Sequence, residues 1–413
     1  MKFDNIIIGG GLSGLITGIE SQRAGRNTAI VSTGQSALHF WSGSFEFLCE
    51  QGGHEVVDNP LQRAERLDPV HPYRKLGTKR LRALLDKVQP ILADAGINVR
   101  GSLDRNHYRL TPMGILKPAW LTLDDYLMLD HPDDLKDKKL AIVNIAGYID
   151  FYPRFLSFGL SKHGAVCTTH DVDTPRLDTL RKSTTEMRAT NMSRCIDGEA
   201  VDDLAKKINE VSKGADAVIM PAILGMFNDA PVKRLREGVD RPIWFVATTP
   251  ASVPGVRCQL SLIDKFQKLG GTFLPGDTAV KGEIKGNRLE KIFTANFGDM
   301  PLEAANFVIS TGSFFGHGLV ATMDRIYEPI LNLDVKAPTD RRGWYEENFY
   351  AAQPYMSFGV TTDDRLRPAR NGITLENVYA TGAVLAGFNA LKEGSGAGIT
   401  LATALAAAEE ITH

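Results

Sequence analysis

Six residues near the start of the chain, Gly9-Gly10-Gly11-Leu12-Ser13-Gly14, have the spacing G-x-G-x-x-G. In such a run Gly9 permits a tight turn, Gly11 lets a phosphate approach the backbone, and Gly14 lets a helix pack closely on a strand. Leu12 and Ser13 lie where a helix start turns free N–H groups and the positive end of its dipole toward that phosphate. Two further strand-end turns share this style. Ile309-Ser310-Thr311-Gly312-Ser313 places Thr311 and Gly312 at one, and Ala380-Thr381-Gly382-Ala383 places Gly382 and Ala383 at the other. After Gly387 comes Gly394-Ser395-Gly396-Ala397-Gly398, which opens a small-residue helix. The amides of Gly394, Gly396, Ala397 and Gly398 can approach an anionic or electron-accepting ring edge. The competing reading is a helix packed tightly through small residues. Three strand-end glycine turns in one chain are more specific than any one alone.

A nucleotide-binding turn of this kind is usually followed, about twenty residues on, by an Asp or Glu that holds the adenosine ribose. Here the second strand ends Ala29-Ile30-Val31-Ser32-Thr33. Ser32 gives one hydrogen bond but no bidentate carboxylate contact. That weakens the case for an ordinary FAD or NAD adenosine. It leaves room for a mononucleotide, FMN, whose phosphate alone would occupy the glycine turn, with FAD as the alternative.

The elements that position these residues follow from pattern. Asn5–Ile8 predicts a buried parallel strand, Gly14–Gly25 a helix and Thr28–Thr33 a second strand, a βαβ unit in about thirty residues. Lys79–Ala95 predicts a helix, and Thr111–Pro118, punctuated by Pro112, Gly114 and Pro118, a loop. A second α/β series has strands at Lys139–Ile145, Ala165–Asp171, Ala217–Met220 and Pro242–Ala247. Its helices fall at Phe151–His163, Val201–Ser212 and Val232–Gly238. The last third predicts a helix at Val256–Leu269 and a strand at Gly271–Leu274. A ribbon follows through Ala279–Ile284 and Leu289–Ala295, then strands Phe307–Thr311 and Asn377–Thr381, then a helix Ser395–Ile411.

The fold class is therefore α/β, a Rossmann-like flavin-binding fold with an inserted α/β middle domain. Residues 1–59 and 251–413 are expected to form a discontinuous flavin-binding domain, and 60–250 an inserted region with its own α/β layer. The 413 residues carry a formal net charge of -2, which gives no footprint for a nucleic-acid partner. The four cysteines, Cys49, Cys167, Cys195 and Cys258, form no C-x-x-C pair. They read as reduced thiols in a cytoplasmic protein and predict no metal site. No run of about eighteen apolar residues exists, so no transmembrane segment is expected, and the early first strand leaves no room for a signal peptide.

The order of the three turns resembles the glutathione-reductase type of flavoprotein. More narrowly, Gly34-Gln35-Ser36-Ala37-Leu38-His39-Phe40, His71-Pro72-Tyr73, Gly359-Val360-Thr361-Thr362-Asp363 and the tail around Gly382 resemble the B subunit of the anaerobic glycerol-3-phosphate dehydrogenases. The resemblance implies an FMN-dependent flavin subunit. It would work with an FAD-containing catalytic subunit and an iron–sulfur subunit that docks on the inner membrane. The system would oxidise sn-glycerol 3-phosphate to dihydroxyacetone phosphate and pass electrons to quinone. This chain would then be peripheral to the cytoplasmic face of that membrane and soluble when isolated. In related flavoproteins the segment holding Ser36, His39, Ser42 and Gly43 runs under the isoalloxazine ring. His39 can then hydrogen-bond the flavin or move a proton. A phosphate-bearing substrate needs cations, for which Arg257, Arg341, Arg342 and Arg367 are loop candidates, with His317 weaker. Arg257 and His39 are the expected catalytic residues. An electron-relay subunit and a scaffold with a vestigial site are the competing readings, as is a stand-alone FAD-dependent oxidoreductase.

Overall fold

The computed structural model of the chain describes residues 1–52, 55–183 and 186–412. Its main sheet places Thr272–Pro275, Thr28–Ser32, Lys2–Ile8 and Leu302–Ile309 side by side in that order, with Val378–Ala380 along the far end of Leu302–Ile309. All of these neighbours are parallel. Ile6–Ile8, Ala29–Val31 and Phe307–Ile309, toward the carboxyl ends of these strands, are apolar and buried, as a sheet covered on both faces requires there. The first strand starts earlier than its apolar run because Lys2 pairs with Glu303. The ribbon Ala279–Lys285 and Arg288–Thr294 turns at Gly286 and runs antiparallel into the start of Leu302–Ile309.

The helix Leu12–Arg23 packs between the helices Val253–Lys268 and Gly396–Thr412. This explains its composition. Ser13 to Ile19 are all buried, so the helix has no solvent stripe along its first turns. The C-terminal helix is buried continuously from Leu401 to Ala408, where alanines let it approach closely.

A second parallel sheet has the order Val166–Val172, Lys139–Ile145, Ala217–Pro221, Ile243–Val246, with helices Pro153–Ser161, Glu199–Val211 and Ala230–Gly238 as crossovers. This is a second α/β layer, whose strands lie in the chain between Thr28–Ser32 and Thr272–Pro275 of the main sheet. The two parts are stitched together by small antiparallel pairings. Ser44–Phe45 pairs with Leu121–Leu123, which pairs in turn with Val99–Gly101.

Two local expectations are corrected. Thr111–Pro118 is a loop only to Ile115: His107–Leu110 and Leu116–Ala119 form a hairpin around that turn. Pro118 is tolerated there because its strand lies at the edge of a three-stranded sheet. Lys79–Ala95 is two helices, Thr78–Leu85 and Val88–Asp94, with Pro90 in the first turn of the second, where its missing N–H costs nothing.

Candidate cofactor site

The three glycine turns, distant in sequence, meet at the carboxyl ends of the parallel strands. Gly9 adopts φ +121, and a side chain there would run into the Ser310 carbonyl. Gly14 lies against the Gly9 carbonyl with no room for a Cβ. The Ser13 hydroxyl donates to Thr381 Oγ1 at 2.7 Å, and Ser310 Oγ lies 2.7 Å from the same atom. The Gly382 amide donates to Thr403 Oγ1 at 2.9 Å. A buried chain of hydroxyls therefore ties the first turn to the other two.

Gly11 is different. It caps the Leu12–Arg23 helix with no side-chain cap and no acidic residue in the first turn. An added Cβ would meet only Ser36 Cβ, at 3.7 Å, so the space in front of it is open. Among the described residues, the amides of Gly11, Leu12, Ser13 and Gly14 make no hydrogen bond. Open space before unpaired donors at a helix N-terminus fits a phosphate group. The Thr311 hydroxyl, next to Gly312 (φ +81), is buried without a partner.

At the C-terminal turn the residues divide. Gly398 donates its amide to the Glu46 carbonyl at 2.7 Å, and a Cβ there would strike the Tyr73 hydroxyl. Its expected role against a ring edge is corrected to packing. Gly394 (φ +55) likewise sits against Cys49. The amides of Gly396 and Ala397 make no hydrogen bond among the described residues and remain open. Ala383 is exposed beside Gly382.

The segment after the second strand is organised by a residue that carries no local signal, Gln259. Its Oε1 accepts from Ser36 Oγ at 3.1 Å, and its Nε2 donates to the Gly10 carbonyl at 3.3 Å. The His39 pKa is lowered by burial, the larger effect, which a hydrogen bond with Gln259 opposes. The Val253–Lys268 helix thus reaches both the phosphate turn and the His39 segment. Ser32 is buried under Gly10, its hydroxyl 3.3 Å from the Gly34 carbonyl. Ser42 Oγ lies 3.1 Å from Ser44 Oγ, and Gly43 (φ +82) gives room to the buried Tyr126 ring.

Residues 4–399 match the FAD binding domain family. Over its whole length the chain is 41% identical to the B subunit of anaerobic glycerol-3-phosphate dehydrogenase from Yersinia enterocolitica, covering 98% of that protein. The proteins of the same name from Pectobacterium carotovorum and Actinobacillus pleuropneumoniae are 38% and 35% identical, each over all of this chain and 99% of the relative. The chain belongs to the B-subunit family of the anaerobic glycerol-3-phosphate dehydrogenases. A solved structure, the 3-ketosteroid-delta4-(5alpha)-dehydrogenase of Rhodococcus jostii, aligns over 98% of this chain and 97% of its own at 10% identity and a TM-score of 0.37.

In this B-subunit flavoprotein the candidate cations stand away from where they were expected. Arg257 is not in a loop. It lies in the Val253–Lys268 helix, 9% exposed, and its Nη1 donates to the Leu224 and Gly225 carbonyls at 3.1 and 2.7 Å. Its Nη2 is 4.0 Å from Asp125 Oδ2. The helix starts earlier than expected because Ser252 caps it through the Gly255 amide and Pro254 stands in its first turn. Arg342 is paired with Asp340 and Arg367 with Asp363, while Arg341 lies over the Trp344 ring. His317 is exposed in a left-handed turn. Of these four, His317 stands beside a glycine turn, between Gly316 and Gly318, which pack against Thr311 and Gly312.

Proposed function

We propose that this chain holds a flavin at the junction of its three glycine turns and takes part in oxidising sn-glycerol 3-phosphate to dihydroxyacetone phosphate, with electrons passing on to quinone. The observation that carries the reading is the open, uncapped helix start at Gly11, locked to the other two turns through Ser13, Thr381 and Ser310. The flavin, when bound, supplies the acceptance and release of electrons. The chain's own residues bind and orient it. Gly11, Leu12 and Ser13 amides hold a phosphate, Gly396 and Ala397 amides face an electron-rich edge, and Gln259 fixes the Ser36–His39 segment. His39, its pKa lowered by burial, stands in that segment as the side chain that would exchange a proton.

FMN is the reading that Ser32 supports. FAD is favoured by a second observation besides the family match. Asp277, 2% exposed, donates its amide to the Ser32 carbonyl at 3.2 Å, and its Oδ2 is buried without a partner. A carboxylate oxygen beside the end of the second strand stands near the place where a ribose-binding acid is expected. The partners in this reading are an FAD-containing catalytic subunit and an iron–sulfur subunit that docks on the inner membrane. Among the described residues no helix is long and apolar enough to cross a membrane. The test is to purify the full chain, release any cofactor by denaturation and weigh it. FMN supports a flavin relay beside the partner's FAD, and FAD supports the Asp277 contact. A chain that takes up neither, alone or with its partner subunit, overturns the reading.

A further inference from the structure

We infer that Glu393, anchored by His71, is a positioning residue for the cofactor: it draws the Ser395 hydroxyl away from the start of the Gly396–Thr412 helix and so keeps the Gly396 and Ala397 amides free. This rests on the flavin reading above and names the residues that hold that end of the site open.

Ser395 stands just before that helix. Its carbonyl accepts the Ile399 amide at 3.0 Å, the first intrahelical bond, which makes Ser395 the N-cap. A serine in that place ordinarily turns its hydroxyl onto the second or third amide of the helix. Ser395 does not. Its Oγ donates to Glu393 Oε2 at 2.8 Å. The third amide, that of Gly398, goes to the Glu46 carbonyl at 2.7 Å. The first two amides, of Gly396 and Ala397, are the ones left over.

Glu393 is itself fixed from three sides. Gly394, at φ +55, turns the chain so that the Glu393 and Ser395 side chains meet. Glu393 Oε1 accepts the Asn389 amide at 3.1 Å, and Oε2 lies 3.2 Å from His71 Nε2. His71 is 2% exposed, and its Nδ1 accepts the Tyr73 amide at 3.1 Å. The ring proton therefore sits on Nε2, which donates to the carboxylate. Burial opposes the Glu393 charge, but His71 and the other donors outweigh it and hold the pKa below its ordinary value. The Tyr73 hydroxyl donates to the Phe47 carbonyl at 2.6 Å and lies 3.2 Å from the Ser395 carbonyl. The segment His71-Pro72-Tyr73 thus grips both the acid that holds the Ser395 hydroxyl and the backbone of Ser395.

Four full-length proteins freed of flavin test this: wild type, Ser395→Ala, Glu393→Ala and the double variant. Hydrogen exchange resolved to single amides is read first, then flavin affinity by fluorescence titration. Ala397 in the wild type should exchange as an unpaired amide, and Ser395→Ala should leave that rate unchanged. Glu393→Ala releases the hydroxyl to cap Ala397, so exchange there should slow about tenfold and flavin binding should weaken about tenfold. Adding Ser395→Ala to Glu393→Ala should restore both, which neither lost packing nor the lost Glu393 charge would allow. A double variant no better than Glu393→Ala overturns the proposal. So does faster exchange at Ala397 in Ser395→Ala than in the wild type, and that comparison decides the point by itself if Glu393→Ala does not fold. The expected exchange pattern in a wild type that takes up no flavin refutes the flavin reading alone. Full flavin uptake with Ala397 protected by the Ser395 hydroxyl refutes this inference alone.

Discussion

Asp125 offers a test of what holds the buried Arg257 of the Val253–Lys268 helix. It is 5% exposed, its Oδ1 has no hydrogen-bond partner, and its other oxygen is 4.0 Å from Arg257. Asp124, Asp229, Lys233 and Arg236 line the same cavity. Burial raises the Asp125 pKa from 3.8 to about 6, and the attraction of Arg257 offsets only part of that. A carboxyl whose folded pKa is raised favours the folded state at low pH, and that contribution is lost as pH rises through the folded value. The shift from 3.8 to about 6 corresponds to about 3 kcal/mol between acid and neutral pH. About 1.4 kcal/mol of it falls between pH 5 and pH 8 by the same linkage. Asp125→Asn removes the titration while keeping the shape. Denaturant unfolding of both proteins at pH 5 and pH 8 gives the difference, in which other titrating groups cancel. The wild type should lose about 1.4 kcal/mol more than the variant on going to pH 8. A difference of zero, or one of opposite sign, would mean that Asp125 is ionised throughout and that Arg257 holds it as an ion pair.

Three substitutions at the cofactor turns give further expectations. Gly11→Val should abolish flavin retention with less than about 1 kcal/mol lost in stability, because Gly11 has φ -84 and open space before it; flavin content after gel filtration and a melting curve read the two effects. Gln259→Leu removes the contacts to Gly10, Ser36 and His39, and should weaken flavin binding about tenfold, measured by fluorescence titration of the apoprotein. Thr381→Val keeps the volume but breaks the chain between Ser13 and Ser310, and should cost about 2 kcal/mol in chemical denaturation. An unchanged midpoint would show that the three turns are not coupled through that hydroxyl.

What sequence reveals here is local. The βαβ unit, the strand-end turns and the alternation of the second layer are each written within a short window, as apolar runs bounded by glycine. The residues that join them are not. Gln259 and Asp125 carry no periodic or motif signal, because their partners, Gly10 and Arg257, are more than a hundred residues away in the chain. Arg257 already falls within the helix expected from Val256, and what a reading by apolar period alone passes over is the earlier start set by the cap signals Ser252 and Pro254. The hairpin His107–Ala119 escapes such a reading because Pro112, Gly114 and Pro118 look like loop punctuation, and only the sheet order shows that Pro118 stands on an edge.

The glycines of the candidate site serve two physical ends, and only the structure separates them. Gly9, Gly14 and Gly398 have backbone or side-chain atoms where a Cβ would go, so they hold elements together. Gly11 has nothing before it but a distant Ser36 Cβ, and its neighbours' amides are unpaired. At the half-buried, open start of the Leu12–Arg23 helix these donors are available to a bound anion, as the first turn of any helix leaves its N–H groups without an intrahelical partner. The asymmetry is explained if the packing glycines fix a rigid frame and Gly11 leaves within it a place a phosphate can fill. Because that frame joins Ser13, Ser310 and Thr381, neither end of the chain can form it alone. The proposed cradle would therefore depend on segments from both the start and the last third of the chain.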